Sequence, residues 1–178
     1  SDGGGLHDYL LPSNHQGYYL TSATSSSGTP LYSPGNVTVT QIDDSENITE
    51  GFHDYSIYFK PCNELTAYFG HITTLSDKLT AALSEPYGWD GTYSTGGRTY
   101  RNRGKYVNVT ISAGEQIGIQ GGRSGSTALD LGAYDTRVNN YFANTNRWYD
   151  MTKHSVCVLD YFTSSLKNAM LDKMFKAW

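Results

Sequence analysis

LTAYFGHITTL, Leu65–Leu75, sets Leu65, Ala67 and Phe69 against Thr66, Tyr68 and Gly70. That period of two is what a strand with one buried face requires, and it does not fit a helix. The same alternation recurs on both sides of this stretch. Upstream it places Ile57 and Phe59 together in YSIYFKP and Val37 and Val39 together in NVTVTQI. Downstream it aligns Val107, Val109 and Ile111 in YVNVTI, and Ile117 with Ile119 in QIGIQ. ALDLGAYD, residues 128–135, puts Leu129, Leu131 and Ala133 on one face and Ala128, Asp130, Gly132 and Tyr134 on the other. SVCVLDYF, residues 155–162, reads as a last buried strand or extended segment.

Helical spacing is confined to two places. Leu166, Met170, Met174 and Trp178 recur every four residues after Ser164 and Ser165, either of which serves as N-cap, so a helix is expected over about 164–178. Its apolar side is expected to pack on the domain. A shorter helix is expected over residues 75–83. Residues 21–30, TSATSSSGTP, form a polar loop. Residues 85–104, EPYGWDGTYSTGGRTYRNRG, are too long for an ordinary hairpin turn and read as a loop excursion of the kind that carries binding. The fold class is therefore mainly β: an antiparallel β-sheet domain with hairpin excursions and a C-terminal α-helix. A single domain is expected across residues 1–178, with a Gly-rich N-terminal arm over 1–12, a β core over 13–135 and a C-terminal extension over 136–178.

The composition narrows the partners. The 178 residues include 18 Ser, 19 Thr, 11 Asn and 15 Tyr, while charged residues make up 17%, below the roughly 25% of an average globular chain. A surface of hydroxyls, amides and phenols suits an extracellular or cell-surface protein that meets sugars or neighbouring proteins. The net charge of −4 argues against nucleic-acid binding, which needs a basic face. No apolar run approaches the length of a membrane span. The chain opens at Ser1 without an initiator Met, as a processed or trimmed product would.

Two cysteines, Cys62 and Cys157, form an even pair. A disulfide between them would close a long loop and contribute about 4–5 kcal/mol on the chain-entropy model. Two buried free thiols are the alternative. No C-x-x-C occurs, which removes thiolate zinc sites and thioredoxin-type chemistry. Three N-x-[ST] sequons mark Asn36, Asn47 and Asn108 as candidate glycosylation sites in an exported chain.

Four pieces, in order, resemble the lysostaphin/LytM-type zinc endopeptidases. NHQGYYL and SGTPLYSPGNVTVTQI resemble that family's H-x-G-x-D segment and its G-T-P-V-x-A-P-x-x-G-x-V strand. LTAYFGHITTL resembles its Y-x-H-L-S strand, ISAGEQIGIQGG its V-x-x-G-x-x-I-G-x-x-G hairpin, and ALDLGAYD stands where the family has H-L-H-F-E-V. The resemblance spans about residues 13–135, and the C-terminal extension lies beyond it. It implies a tetrahedral zinc held by His, Asp and His, with two further histidines handling the proton and the oxyanion. His15 matches the first ligand. Tyr19 stands in place of the Asp ligand, and Asp130 in place of the second His ligand. Ala128 replaces one catalytic His, and His71 matches the other. A chain with these exchanges resembles the family in fold while lacking most of its zinc chemistry, so no cofactor is expected and zinc is the one candidate.

The remaining constellations have plainer readings. His53-Asp54 reads as a surface turn, because neighbours on a strand point to opposite faces. Asp43, Asp44, Glu46 and Glu50 read as a solvated acidic loop without the spaced ligands of a calcium loop. GIQGGRSGS lacks the Lys-Ser/Thr of a phosphate loop and reads as a hairpin loop. If Tyr19, His71, Asp130 and Tyr134 converge, they make a groove with aromatic walls and polar tips, suited to a sugar ring or a peptide. Three functions follow: a secreted, non-catalytic domain binding a glycan or peptide; a structural subunit of an extracellular assembly built from copies of itself; and a zinc metallohydrolase with a rearranged site of His15, His71 and Asp130.

Overall fold

The computed structural model describes residues 15–19, 27–122, 128–142 and 148–173. The N-terminal arm, most of the polar loop 21–30, the last four residues of GIQGGRSGS, the end of the expected C-terminal helix and the Tyr19 side chain lie outside these.

The chain is mainly β. Strands β1 (His15–Tyr19), β2 (Gly28–Tyr32), β3 (Val37–Asn47), β4 (Phe52–Lys60), β5 (Leu65–Ile72) and β6 (Thr74–Leu75) precede helix α1 (Asp77–Ala82). Strands β7 (Trp89–Thr95), β8 (Arg98–Ile111), β9 (Gln116–Gly121), β10 (Ala128–Asp135) and β11 (Ser155–Val156) follow, and helix α2 (Ser164–Leu171) closes the described chain. The large antiparallel sheet runs β1-β10-β5-β4-β3-β8-β7, with β11 also paired to β10. A small sheet runs β2-β9-β6.

The alternation in the sequence decides which face is buried. Val39, Ile57, Phe59, Phe69, Leu131 and Ala133 all join one hydrophobic core, together with Leu31, Leu75 and Ile117 from the small sheet. Phe59 and Phe69 meet edge-on with centroids 5.1 Å apart. Burying a side chain of this size stabilises the fold by roughly 1.5–3 kcal/mol. At Gly118, a Cβ would lie 2.5 Å from the Thr74 carbonyl oxygen. Glycine is what lets β6 and β9 approach at this point.

Several expectations are corrected. Residues 85–104 are not a loop excursion but most of a β-hairpin, in which β7 pairs with β8 from Trp89↔Gly104 to Thr95↔Arg98. Gly96 and Gly97 make its two-residue turn, both at positive φ (57° and 75°), where glycine costs nothing sterically. The acidic cluster is not a loop either. Asp43, Asp44 and Glu46 lie within β3, and Asp44 is buried beside Arg103 and His53, at 2.8 Å and 2.9 Å. His53-Asp54 belongs to β4 rather than to a turn.

Helix α2 is capped by Thr163, whose hydroxyl accepts from the Leu166 amide, rather than by Ser164 or Ser165. Met170 packs against the core, but no residue of the helix is buried and Leu166 is 44% exposed. The helix therefore rests on the domain far more lightly than its spacing promises.

Cys62 and Cys157 are separate, exposed thiols, so the expected bridge is absent. The register explains why. Cys157 follows β11 on the β1 side of β10, where Gln16 Nε2 donates to its sulfur at 3.8 Å. Cys62 sits in the β4–β5 turn, beyond Leu65, which pairs with Asp135 on the opposite side of β10. At about 4.8 Å per strand, that separation exceeds the roughly 7 Å Cα limit of a disulfide.

Candidate functional site

The face of the large sheet turned away from the core carries the polar residues of the same alternation. Gly17 pairs with Asp130, and Asp130 with Gly70. Tyr68 pairs with Tyr58, Ser56 with Asp43, and Asp43 with Gly104. These cross-strand rows line a cavity of about 570 Å³ whose walls include Asp43, Ser45, Asp54, Ser56, Asn102 and Asp130, with Tyr68 and Trp89 as aromatic surfaces. That volume falls within the usual range of small-ligand sites.

His71 enters this face through a break in the ladder. Between Tyr55↔Ile72 and Ile57↔Phe69 the register of β4 and β5 shifts, so Gly70 and His71 together oppose Ser56. His71 takes a left-handed backbone, φ 63°, which costs a non-glycine residue about 1–2 kcal/mol. In a regular strand His71 would point into the core. The bulge turns it onto the polar face, where Nδ1 meets Asp54 Oδ2 at 2.9 Å and Nε2 meets Asp130 Oδ2 at 3.2 Å. His15 Nε2 lies 3.5 Å from the same Asp130 oxygen.

Charge follows from these contacts. Hydrogen bonds to Asp130 and then Asp54 raise the His71 pKa to about 10, outweighing partial desolvation, so His71 is an imidazolium donating from both ring nitrogens. Burial works against ionisation of Asp130, but His71, helped by His15, holds its carboxyl below the usual range. Asp43 behaves oppositely. Burial raises its pKa to about 6, partly offset by Gln41 Nε2, which lies 3.0 Å from both carboxylate oxygens. Burial, and then the neighbouring Tyr134 and Tyr58, push the Tyr68 phenol well above its ordinary value.

From the sequence, a groove depended on the convergence of Tyr19, His71, Asp130 and Tyr134. The structure brings His15, His71 and Asp130 together. Tyr134 stands on the same face of β10 but is buried, stacked on Tyr68 at 6.0 Å. The β1 backbone pairs Tyr19 with Ala128. Asp54, read from the sequence as part of a surface turn, lies on this face, where extending the alternation of Ser56 and Tyr58 two residues back puts it. Trp89, expected only within the binding excursion over 85–104, joins the same cavity. Its indole lies across Gly104, where a Cβ would come within 2.2 Å of the ring. Asn102 Oδ1 is buried beside it without a hydrogen-bond partner among the described residues.

These residues do not fit a zinc ion as the resemblance implies. Tyr19 and Ala128 stand where a ligand and a catalytic His would be, and His71 directs both ring nitrogens to carboxylates. Among the described residues no group of three His, Cys, Asp or Glu is placed to hold a metal together. The sequons also differ from one another. Asn36 and Asn108 are exposed, but Asn47 is 1% exposed and bonded through its side chain to Glu50, which closes that sequon in the folded chain. No described helix is long and apolar enough to cross a membrane.

The chain matches no known family model, no curated protein and no solved structure.

Proposed function

We propose that the chain is a secreted, non-catalytic domain with a lysostaphin/LytM-like fold that binds a glycan in the cavity on the polar face of its large sheet. One observation carries this reading: an open, half-polar cleft that sets acceptor groups between two aromatic surfaces. Asp43, Asp54 and Asp130 offer oxygens to a ligand rich in O–H or N–H donors. Tyr68 and Trp89 offer apolar faces to the C–H side of a sugar ring. A zinc hydrolase reading is less well supported, because Asp130 and His71 are committed to each other and only His15 of the zinc ligands is of the family's type.

Titration calorimetry with soluble cell-wall glycan fragments and with the matching stem peptides separates the ligand classes. Binding of the glycan, weakened at least tenfold in Trp89→Ala, supports the proposal. Binding of the peptide alone, or cleavage of either, overturns it.

A further inference from the structure

The outer edge of β7 is the terminal edge of the large sheet, and no described strand pairs with it. Sheet edges of this kind are normally guarded by Pro, Lys, a bulge or a covering element, because their free backbone groups template pairing with another chain. Trp89–Thr95, WDGTYST, has none of the first three. It contains no Pro, Lys or Arg, its register with β8 is unbroken, and its residues from Asp90 onward are all exposed. Its one charge, Asp90, is neutralised by Arg101, with Nε at 2.8 Å from Oδ1.

The direction of the free groups can be read from the partner strand. Thr99 faces Ser94 but commits its carbonyl to the Ile48 amide, at 2.9 Å, and its amide to Thr49 Oγ1, at 2.8 Å. Both contacts lie on the side away from β7. Ser94↔Thr99 is therefore a non-hydrogen-bonded pair, and the backbone groups of Ser94 point outward. By alternation so do those of Thr92 and Asp90.

We propose that this edge pairs with the same edge of a second copy of the chain, antiparallel about a two-fold axis at Thr92. Such pairing is self-complementary. Thr92 meets its own copy, and Asp90 meets the partner's Ser94. Together these close about six backbone hydrogen bonds. On the cavity side the partner's Tyr93 lies over Gly91, and the partner's Thr95 lies beside Trp89. No like charges face each other, and Thr–Thr is a favourable cross-strand pair. Because the axis is normal to the sheet, the two cavities open on the same side of one continuous sheet. The inference rests on the topology of β7 and not on the identity of any ligand.

Sedimentation equilibrium of the full chain at high micromolar concentration tests it. The expected mass is twice the 19.7 kDa of one chain. Thr92→Pro removes the outward N–H at the axis while leaving every β7–β8 hydrogen bond in place, and should sediment as a folded monomer with unchanged far-ultraviolet dichroism. Should Thr92→Pro fail to fold, Thr92→Lys sets two like charges face to face at the axis and should be monomeric. A wild-type monomer throughout the concentration range overturns the proposal. So does any dimer or larger assembly that persists in a folded Thr92 variant.

Discussion

Ile57 and Ser56 are neighbours on one strand, yet they belong to two differently built surfaces. Ile57 faces the core, is 1% exposed and packs in a layer of aliphatic and aromatic side chains. Ser56 faces the cavity, where its strand neighbours are Asp43 on one side and Gly70 with His71 on the other. The first surface is held by close packing, which tolerates little change in volume. The second is held by pairwise charges and a backbone bulge, and it keeps open space. The same strands thus supply rigidity from one face and chemistry from the other.

Substitutions at adjacent positions should break this contrast most sharply. Ile57→Ala should lose about 2–5 kcal/mol in urea unfolding, whereas Ser56→Ala should change stability by less than about 0.5 kcal/mol. Equal losses at both positions would mean that the cavity face is packed like the core. Next in size is Asp43. A carboxyl whose pKa is raised from 3.8 to about 6 on folding destabilises the fold progressively as pH climbs through that window. Asp43→Asn should therefore be more stable than wild type by on the order of 1–3 kcal/mol above pH 6, and no more stable below pH 4.

His71 shifts stability with pH in the same direction, but here it is the charged form that the fold favours. Its folded pKa, about 10, lies above the unfolded value of 6.5, so its contribution is full below pH 6.5 and fades as pH rises toward 10. Unfolding of His71→Ala at pH 5.5, 8 and 10 should show the deficit shrinking in that order. His71→Gly should be more stable than His71→Ala by about 1 kcal/mol, since only glycine takes φ 63° without strain. Gly104→Ala should cost about 1 kcal/mol, because its methyl would stand 2.2 Å from the Trp89 ring and 2.7 Å from Asp43 Oδ1 and both must shift. Glycan binding should still fall at least tenfold in calorimetry.

The buried face was the part most legible in the sequence. Val39, Ile57, Phe59, Phe69 and Leu131 declare themselves by alternation, because hydrophobic burial is non-directional and leaves a periodic trace. Strand β7 left no such trace. Its residues from Asp90 onward are exposed, and Trp89 and Tyr93 pack on Tyr106 and Tyr100 rather than on the core, so Trp89-Asp-Gly-Thr-Tyr-Ser-Thr carries no aliphatic core period. Gly96-Gly97 was the one local sign of a hairpin. Asp44 was misread as solvated because its partners, His53 and Arg103, come from two other strands. His71 and Asp130 were picked out by resemblance to a motif. The bulge that joins them to Asp54 has no local signature, since whether Gly70 and His71 oppose one residue or two is set by pairing with β4.

The crossing of Trp89 over Gly104 gives the cavity an optical readout of its own. A Cβ at residue 104 would stand 2.2 Å from the indole and 2.7 Å from Asp43 Oδ1, so ring and carboxyl are at most about 5 Å apart. Protonation of that carboxyl alters the field across the indole, and the other two tryptophans, Trp148 and Trp178, lie far along the sequence in the C-terminal extension. Emission from the folded chain should therefore carry a transition centred near pH 6, absent in Asp43→Asn and in Trp89→Phe. A ligand that displaces water from Asp43 would move that midpoint, reporting its own arrival without a label.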